Sequence, residues 1–120
     1  MNVDAMRSAL AKFRSASDER AAGLRDSQFA LEELVQLYNR LDDTERALAN
    51  VVIAEWVASD DEKLRFDALA LIERYVIRGA VEPLERLAER LGAMRTPGAP
   101  YELEKVERIL KRLHDVVPSA

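Results

Sequence analysis

The side chains best suited to chemistry in this sequence are a single histidine, two clusters of carboxylates and one glutamate in apolar surroundings. His114 stands beside Asp115, and an imidazole next to a carboxylate is a general-base pattern. The pair falls in the last turn of the last expected helix, where the helix dipole favours a cation, so a surface histidine is expected. A Ser-His-Asp site would need a serine on a strained turn, and no Gly-x-Ser-x-Gly occurs. Asp42-Asp43 and Asp60-Asp61-Glu62 carry the oxygen ligands a hard cation takes. Both lack the turn glycine and twelfth-position glutamate of a calcium loop, and both sit where a helix should begin, so capping accounts for them. Glu55 lies between Ala54 and Trp56 in the most apolar part of the chain. A carboxylate buried there would need a partner or a raised pKa, and its expected place is the narrow polar edge of its helix.

Composition removes other chemistry. There is no cysteine, hence no disulfide, thiolate nucleophile or zinc–sulfur site. One histidine cannot build a two-imidazole site, and four glycines supply no phosphate-cradling loop. No catalytic residue, cofactor or metal is assigned, and the chain reads as a non-enzyme. At 120 residues, 48% hydrophobic and 33% charged, it can bury one core. Its wealth of Ala, Leu, Glu and Arg points to an all-α fold. The net charge is −4, and positions 26–60 alone carry eight acidic against two basic residues. A net acidic domain starts badly as a nucleic-acid binder. The longest nearly apolar stretch, 47–58, is too short to span a bilayer, for which about 20 residues are needed. Residues 1–25 lack the apolar run of a secretory signal. A cytoplasmic protein without a membrane anchor is expected.

Six helices follow from apolar spacing and stop signals. The first spans about 4–22, with Met6, Leu10 and Phe13 on one face. The second, 27–41, carries Leu31, Leu34, Val35, Tyr38 and Leu41. Asp42 and Glu45 have the spacing of a capping box and open a third helix, 43–58. Leu48, Val51, Val52, Ile53, Ala54, Trp56 and Val57 cover most of its circumference, so neighbours should bury it on several sides. Ser59 and Glu62 repeat the capping-box spacing ahead of a fourth helix that ends near Arg78, with Gly79 as its left-handed C-terminal residue. The fifth begins within 80–83 and carries Leu84, Leu87, Ala88 and Leu91 before Gly92. Pro100 opens the sixth, where Leu103, Val106, Leu110, Leu113 and Val117 form the stripe. Short connections should make consecutive helices antiparallel neighbours.

Within 62–91, Leu64, Arg65, Ala68, Leu69 and Ile72 precede a glycine turn, and Ala80-Val81-Glu82-Pro83-Leu84 with Leu87 follows it. This segment resembles a HEAT-type helical repeat. The resemblance implies a short right-handed α-solenoid of about two and a half helix pairs; the alternative is an irregular antiparallel helical bundle. It also implies that Arg65 bonds an acidic or carbonyl group between repeats. On this reading residues 1–120 are a single all-α domain. Residues 1–25 form an N-terminal cap or docking helix, 27–58 a first helix pair, 60–92 the HEAT-like pair and 100–117 a capping helix.

Helical repeats present rigid surfaces and usually bind rather than catalyse. A non-catalytic protein–protein interaction module is therefore expected, in its sharpest form a bacterial immunity protein that neutralises a basic toxin. The candidate face comprises Glu32, Glu33, Asp42, Asp43, Glu45 and Glu55, with Tyr38 and Trp56 as anchors if they are exposed. The expected partner is another protein with a basic surface, with no nucleic acid and no membrane; the oligomeric state is left open. Alternatives are an adaptor or regulatory subunit docking through Met6, Leu10 and Phe13, and, through the HEAT resemblance, a DNA-processing protein using Glu55 and Trp56.

Overall fold

A computed structural model describes residues 2–24 and 28–116. Among these the fold is all-α, with six helices: α1 (Val3–Leu24), α2 (Phe29–Arg40), α3 (Asp43–Trp56), α4 (Glu62–Tyr75), α5 (Val81–Ala93) and α6 (Ala99–Val116), and a 3-10 turn, Arg78–Ala80, before α5. None of the described helices is long and apolar enough to cross a membrane. The chain divides within α3 into two compact units, residues 1–52 and 53–120.

In the first unit α1 packs along α2. Asn2 caps α1, its Oδ1 accepting from the Ala5 amide at 2.8 Å. Met6, Leu10, Ala30, Leu34 and Tyr38 are buried, and Phe13 is half-buried. Arg20 on α1 grips Glu33 on α2 with Nε and NH2 at 2.8–3.0 Å. The expected start of α2 at Ser27 lies outside the described residues. The capping box forms as the spacing predicts: the Glu45 amide donates to Asp42 Oδ1 at 2.8 Å, and the Asp42 amide to Glu45 Oε1 at 3.0 Å. Arg46 then reaches back to satisfy the Tyr38 and Asn39 carbonyls at the end of α2.

α3 is less enclosed than its composition suggests. Ala49, Val52, Ile53 and Trp56 are buried, but Val51 is 47% exposed and Ala47 faces solvent. Alanine and a single valine tolerate water at little cost, so an apolar circumference did not require neighbours on every side.

In the second unit α6 packs along α5 and against α4. Leu69, Ile72, Leu84, Val106, Ile109 and Leu113 are among its fully buried side chains; each contributes about 1.5–3 kcal/mol by leaving water. On α6, Ile109 rather than Leu110 completes the buried stripe; Leu103 and Leu110 are half-buried, and Val117 lies outside the described residues.

Two helix boundaries depart from expectation. Ser59 and Glu62 do not form a capping box. The end of α3 keeps winding, with the Ser59 amide still bonded to the Trp56 carbonyl, so the start of α4 is displaced to Asp61. Asp61 Oδ1 accepts from the Lys63 and Leu64 amides, while Ser59 Oγ accepts from the Asp61 amide. At the other end, α4 stops at Tyr75 rather than Arg78. The left-handed residue is Val76 (φ 53°, ψ 60°), not Gly79. The Val76 and Ile77 amides both bond to the Ile72 carbonyl, and the reversal drives Ile77 into the core at 3% exposure. A β-branched residue in this region is strained by about 1–2 kcal/mol, which burial of Ile77 offsets.

Candidate functional site

Three of the six acids expected to form a binding face are engaged in holding the fold. Glu33 is in the bidentate pair with Arg20, and Asp42 and Glu45 cap each other across the start of α3. Glu32 and Asp43 are exposed. Five of the six acids belong to the unit 1–52 and Glu55 to the unit 53–120. Glu55 is exposed rather than buried among its apolar neighbours. Tyr38 and Trp56, expected as anchors on condition of exposure, are buried, at 7% and 8% exposed, and the Tyr38 hydroxyl donates to Asn50 Oδ1 at 2.7 Å. A phenol and an indole bury too much apolar surface to be left outside such helices. His114 and Asp115 lie on the surface of α6. Among the described residues no three His, Cys, Asp or Glu side chains converge as metal ligands would.

A different place has the character of a binding site. Along one side of the 53–120 unit, α4 and α6 enclose a cleft of about 440 Å³ lined by Glu62, Phe66 and Leu69 from α4, by Tyr101, Glu102, Glu104, Lys105 and Arg108 from α6, and by Gly98 before it. Positions 62, 66 and 69 recur at four and three along α4, as do 101, 105 and 108 along α6, so each helix offers one continuous row. Arg65 pairs with Glu102, Phe66 with Lys105 and Glu73 with Arg108. Residue number rises in the same sense on both helices, so the two rows run parallel.

The walls are tied at both ends. Arg65, 3% exposed, donates from Nε to Glu102 Oε2 at 2.7 Å and from NH2 to Glu102 Oε1 at 3.0 Å, while NH1 donates to the Ser59 carbonyl at 3.1 Å. This two-pronged geometry suits guanidinium and carboxylate. The hydrogen bond to Glu102 raises the Arg65 pKa above its ordinary value against the opposing effect of burial, with help from the negative charge of Glu102, Glu62 and Asp60. At the far end Arg108 Nε donates to Glu73 Oε2 at 3.2 Å. Between them the Lys105 ammonium stands 4.3 Å from the centre of the Phe66 ring, a cation–π contact. Behind the Arg65–Glu102 pair lies a smaller recess of about 300 Å³, closed on one side by the Arg90–Asp60 ion pair at 2.6 Å.

Two large ring side chains are left in water at this cleft: Phe66 is 47% and Tyr101 82% exposed. Neither figured among the expected site residues, although a signal was present. Phe66 is two positions from Ala68, and Tyr101 two from Leu103. Two residues turn a helix by about 200°, so each ring had to point away from its helix's apolar stripe.

No protein-family model, curated protein or solved structure matches this chain. The likeness to a HEAT-type repeat rests on the residues of 62–91 alone. Chemically the cleft offers an apolar floor and aromatic edges; Glu102 is spent on Arg65 and Arg108 on Glu73, while Glu62 and Glu104 stand exposed at its N-terminal end. It can hold an apolar side chain presented by another molecule.

Proposed function

We propose that this protein is a non-catalytic protein-binding module and that the α4/α6 cleft is its docking surface. The observation that carries this reading is the pair of uncovered rings, Phe66 and Tyr101, on walls fixed by a buried arginine–carboxylate bond. Exposed aromatics over a rigid, well-packed base are what interface hot spots are made of, and holding the walls in advance lowers the entropy lost on binding. The parallel α4 and α6, each presenting one row on the same side, support a repeat-like arrangement in which one set of helix faces binds. The same reading places the protein in the cytoplasm.

A second reading keeps the partner basic and the contact acidic. It draws on Glu32 and Asp43, exposed on the 1–52 unit, and it is the form that neutralisation of a basic toxin would take.

Photo-cross-linking separates the two. With benzoylphenylalanine in place of Tyr101, irradiation of the protein alone and in extract of its native host should give a protein adduct that Phe66→Ser abolishes and Asp43→Lys leaves intact. If neither preparation gives an adduct, the cleft is not a docking surface. If a probe at position 32 captures a partner that Asp43→Lys releases, the acidic reading takes its place.

A further inference from the structure

We propose that the molecule occupying the α4/α6 cleft is a second copy of this chain, seated with its α6 antiparallel to the first. This rests on the docking reading above and names its partner.

The argument is one of charge order. Tyr101, Lys105, Arg108 and Arg112 recur at four, three and four along α6 and so share one stripe, with Glu104 and Lys111 on the adjoining one. The N-terminal end of the cleft is acidic, from Glu62 on α4 and Glu104 on α6, both exposed. Towards the C-terminal end of this side of α6 the exposed charges are Arg108, Lys111 and Arg112, followed by Asp115 in the last turn; Glu107, also exposed, lies on another side of the helix. This order opposes the helix dipoles, which accounts for its direction. Its consequence is a surface whose sign reverses along its length around an apolar middle. Such a surface is complementary to itself under a two-fold axis, the commonest symmetry of protein dimers.

An axis through the middle of α6, between Lys105 and Arg108, sets each Glu104 opposite position 109 of the other copy, two residues or about 3 Å of helix rise from that copy's Lys111, within reach of the long lysine side chain. It also brings each Tyr101 ring beneath the other copy's Arg112, and Glu62 to the basic end. Lys105 and Arg108 come closest to their own kind, but each already has an internal counterpart, the Phe66 ring and Glu73. Asp115, the one acid at the basic end of the stripe, falls beyond the cleft opposite Gly98. A foreign partner would need only an apolar knob to fit Phe66 and Tyr101. The reversal of sign is what selects this chain for itself.

Sedimentation of the purified full chain over a concentration range reaching the submillimolar, at low and high salt, tests the proposal. The wild type should show a monomer–dimer equilibrium that weakens with salt. Tyr101→Glu should give monomer, as should Phe66→Ser, with circular dichroism confirming that both variants remain folded. Each contact occurs twice in a two-fold dimer, so Glu104→Lys and Lys111→Glu should each weaken dimerisation by about tenfold. The double variant Glu104→Lys/Lys111→Glu should recover it. A wild type that stays monomeric throughout overturns the inference, and so does self-association indifferent to Phe66→Ser and Tyr101→Glu, or a double variant as weak as the singles. The Tyr101 cross-link keeps the two proposals distinguishable. An adduct at twice the 13.6 kDa of the chain supports the dimer. An adduct only with a foreign protein overturns the dimer and leaves the docking reading standing, and no adduct removes both.

Discussion

Replacing Arg65 by methionine should destabilise the protein by about 3–5 kcal/mol, the cost of leaving one member of a buried ion pair without the other. Arg65 is 3% exposed, and the Glu102 side chain is only 14% exposed, so water cannot readily replace the guanidinium. The substitution also removes the donor to the Ser59 carbonyl. Glu102→Leu alone should cost a similar amount, because it strands a buried cation. Together, Arg65→Met and Glu102→Leu should fall within about 1–2 kcal/mol of the wild type, since an apolar pair of similar volume carries no desolvation penalty. The cycle should thus be non-additive by several kcal/mol, with the double variant more stable than either single. Urea denaturation followed by fluorescence of Trp56, the one tryptophan and a buried one, measures all four stabilities. The pH dependence has a definite sign. Because the folded-state pKa of Arg65 is raised, the pair's contribution is complete below the ordinary arginine range and is lost only as pH rises through the elevated value. The gap between wild type and Arg65→Met should therefore be constant from neutrality to about pH 10, well below arginine's own titration. A single-variant cost under about 1 kcal/mol, or additivity in the cycle, would refute the assignment of Arg65–Glu102 as the tie between α4 and α6.

Other substitutions probe the remaining elements. Gly79→Ala should stabilise by about 0.5 kcal/mol, because its φ is not positive and a Cβ there meets nothing within 4 Å; a loss above about 1 kcal/mol in thermal melts would place the left-handed residue at 79 after all. Val76→Asn should be close to neutral, relief of about 1–2 kcal/mol of backbone strain offsetting the loss of a half-buried side chain. Asp42→Ala should cost about 1 kcal/mol through the capping box, and Asp61→Ala a similar amount; Ser59→Ala, which touches only one turn amide, should cost less. Tyr38→Phe should cost about 0.5–1.5 kcal/mol by removing the bond to Asn50, measurable in the same urea titrations.

What could be read from the residues, and what could not, divides along the range of the forces involved. The helices and the Asp42–Glu45 cap were legible because a periodicity and a three-residue reach are local. The end of α4 was not, because the pull on Ile77 comes from the core it enters, and that pull overrode the preference for glycine at the turn. Asp61 rather than Ser59 caps α4 because the preceding helix had not yet finished at Ser59, which no capping pattern records. The acidic residues of 26–60 were correctly counted, but a count is blind to engagement: Glu33 is claimed by Arg20, thirteen positions away, and Glu45 by its own helix end. Phe66 and Tyr101 were visible as rings out of phase with their stripes. Their meeting in one cleft depends on how α4 and α6 pack, and that lies beyond any periodicity.

The Arg65–Glu102 bond joins residues 37 apart in sequence. Its two ends can meet only after the 3-10 turn, α5 and the start of α6 have taken their places, and the chain closure this requires is entropically uphill. Interactions formed that late lie beyond the folding barrier, so they govern how fast the native state is left rather than how fast it is reached. Stopped-flow measurements on Arg65→Met should accordingly find refolding scarcely altered and unfolding accelerated, which makes this bond a source of longevity.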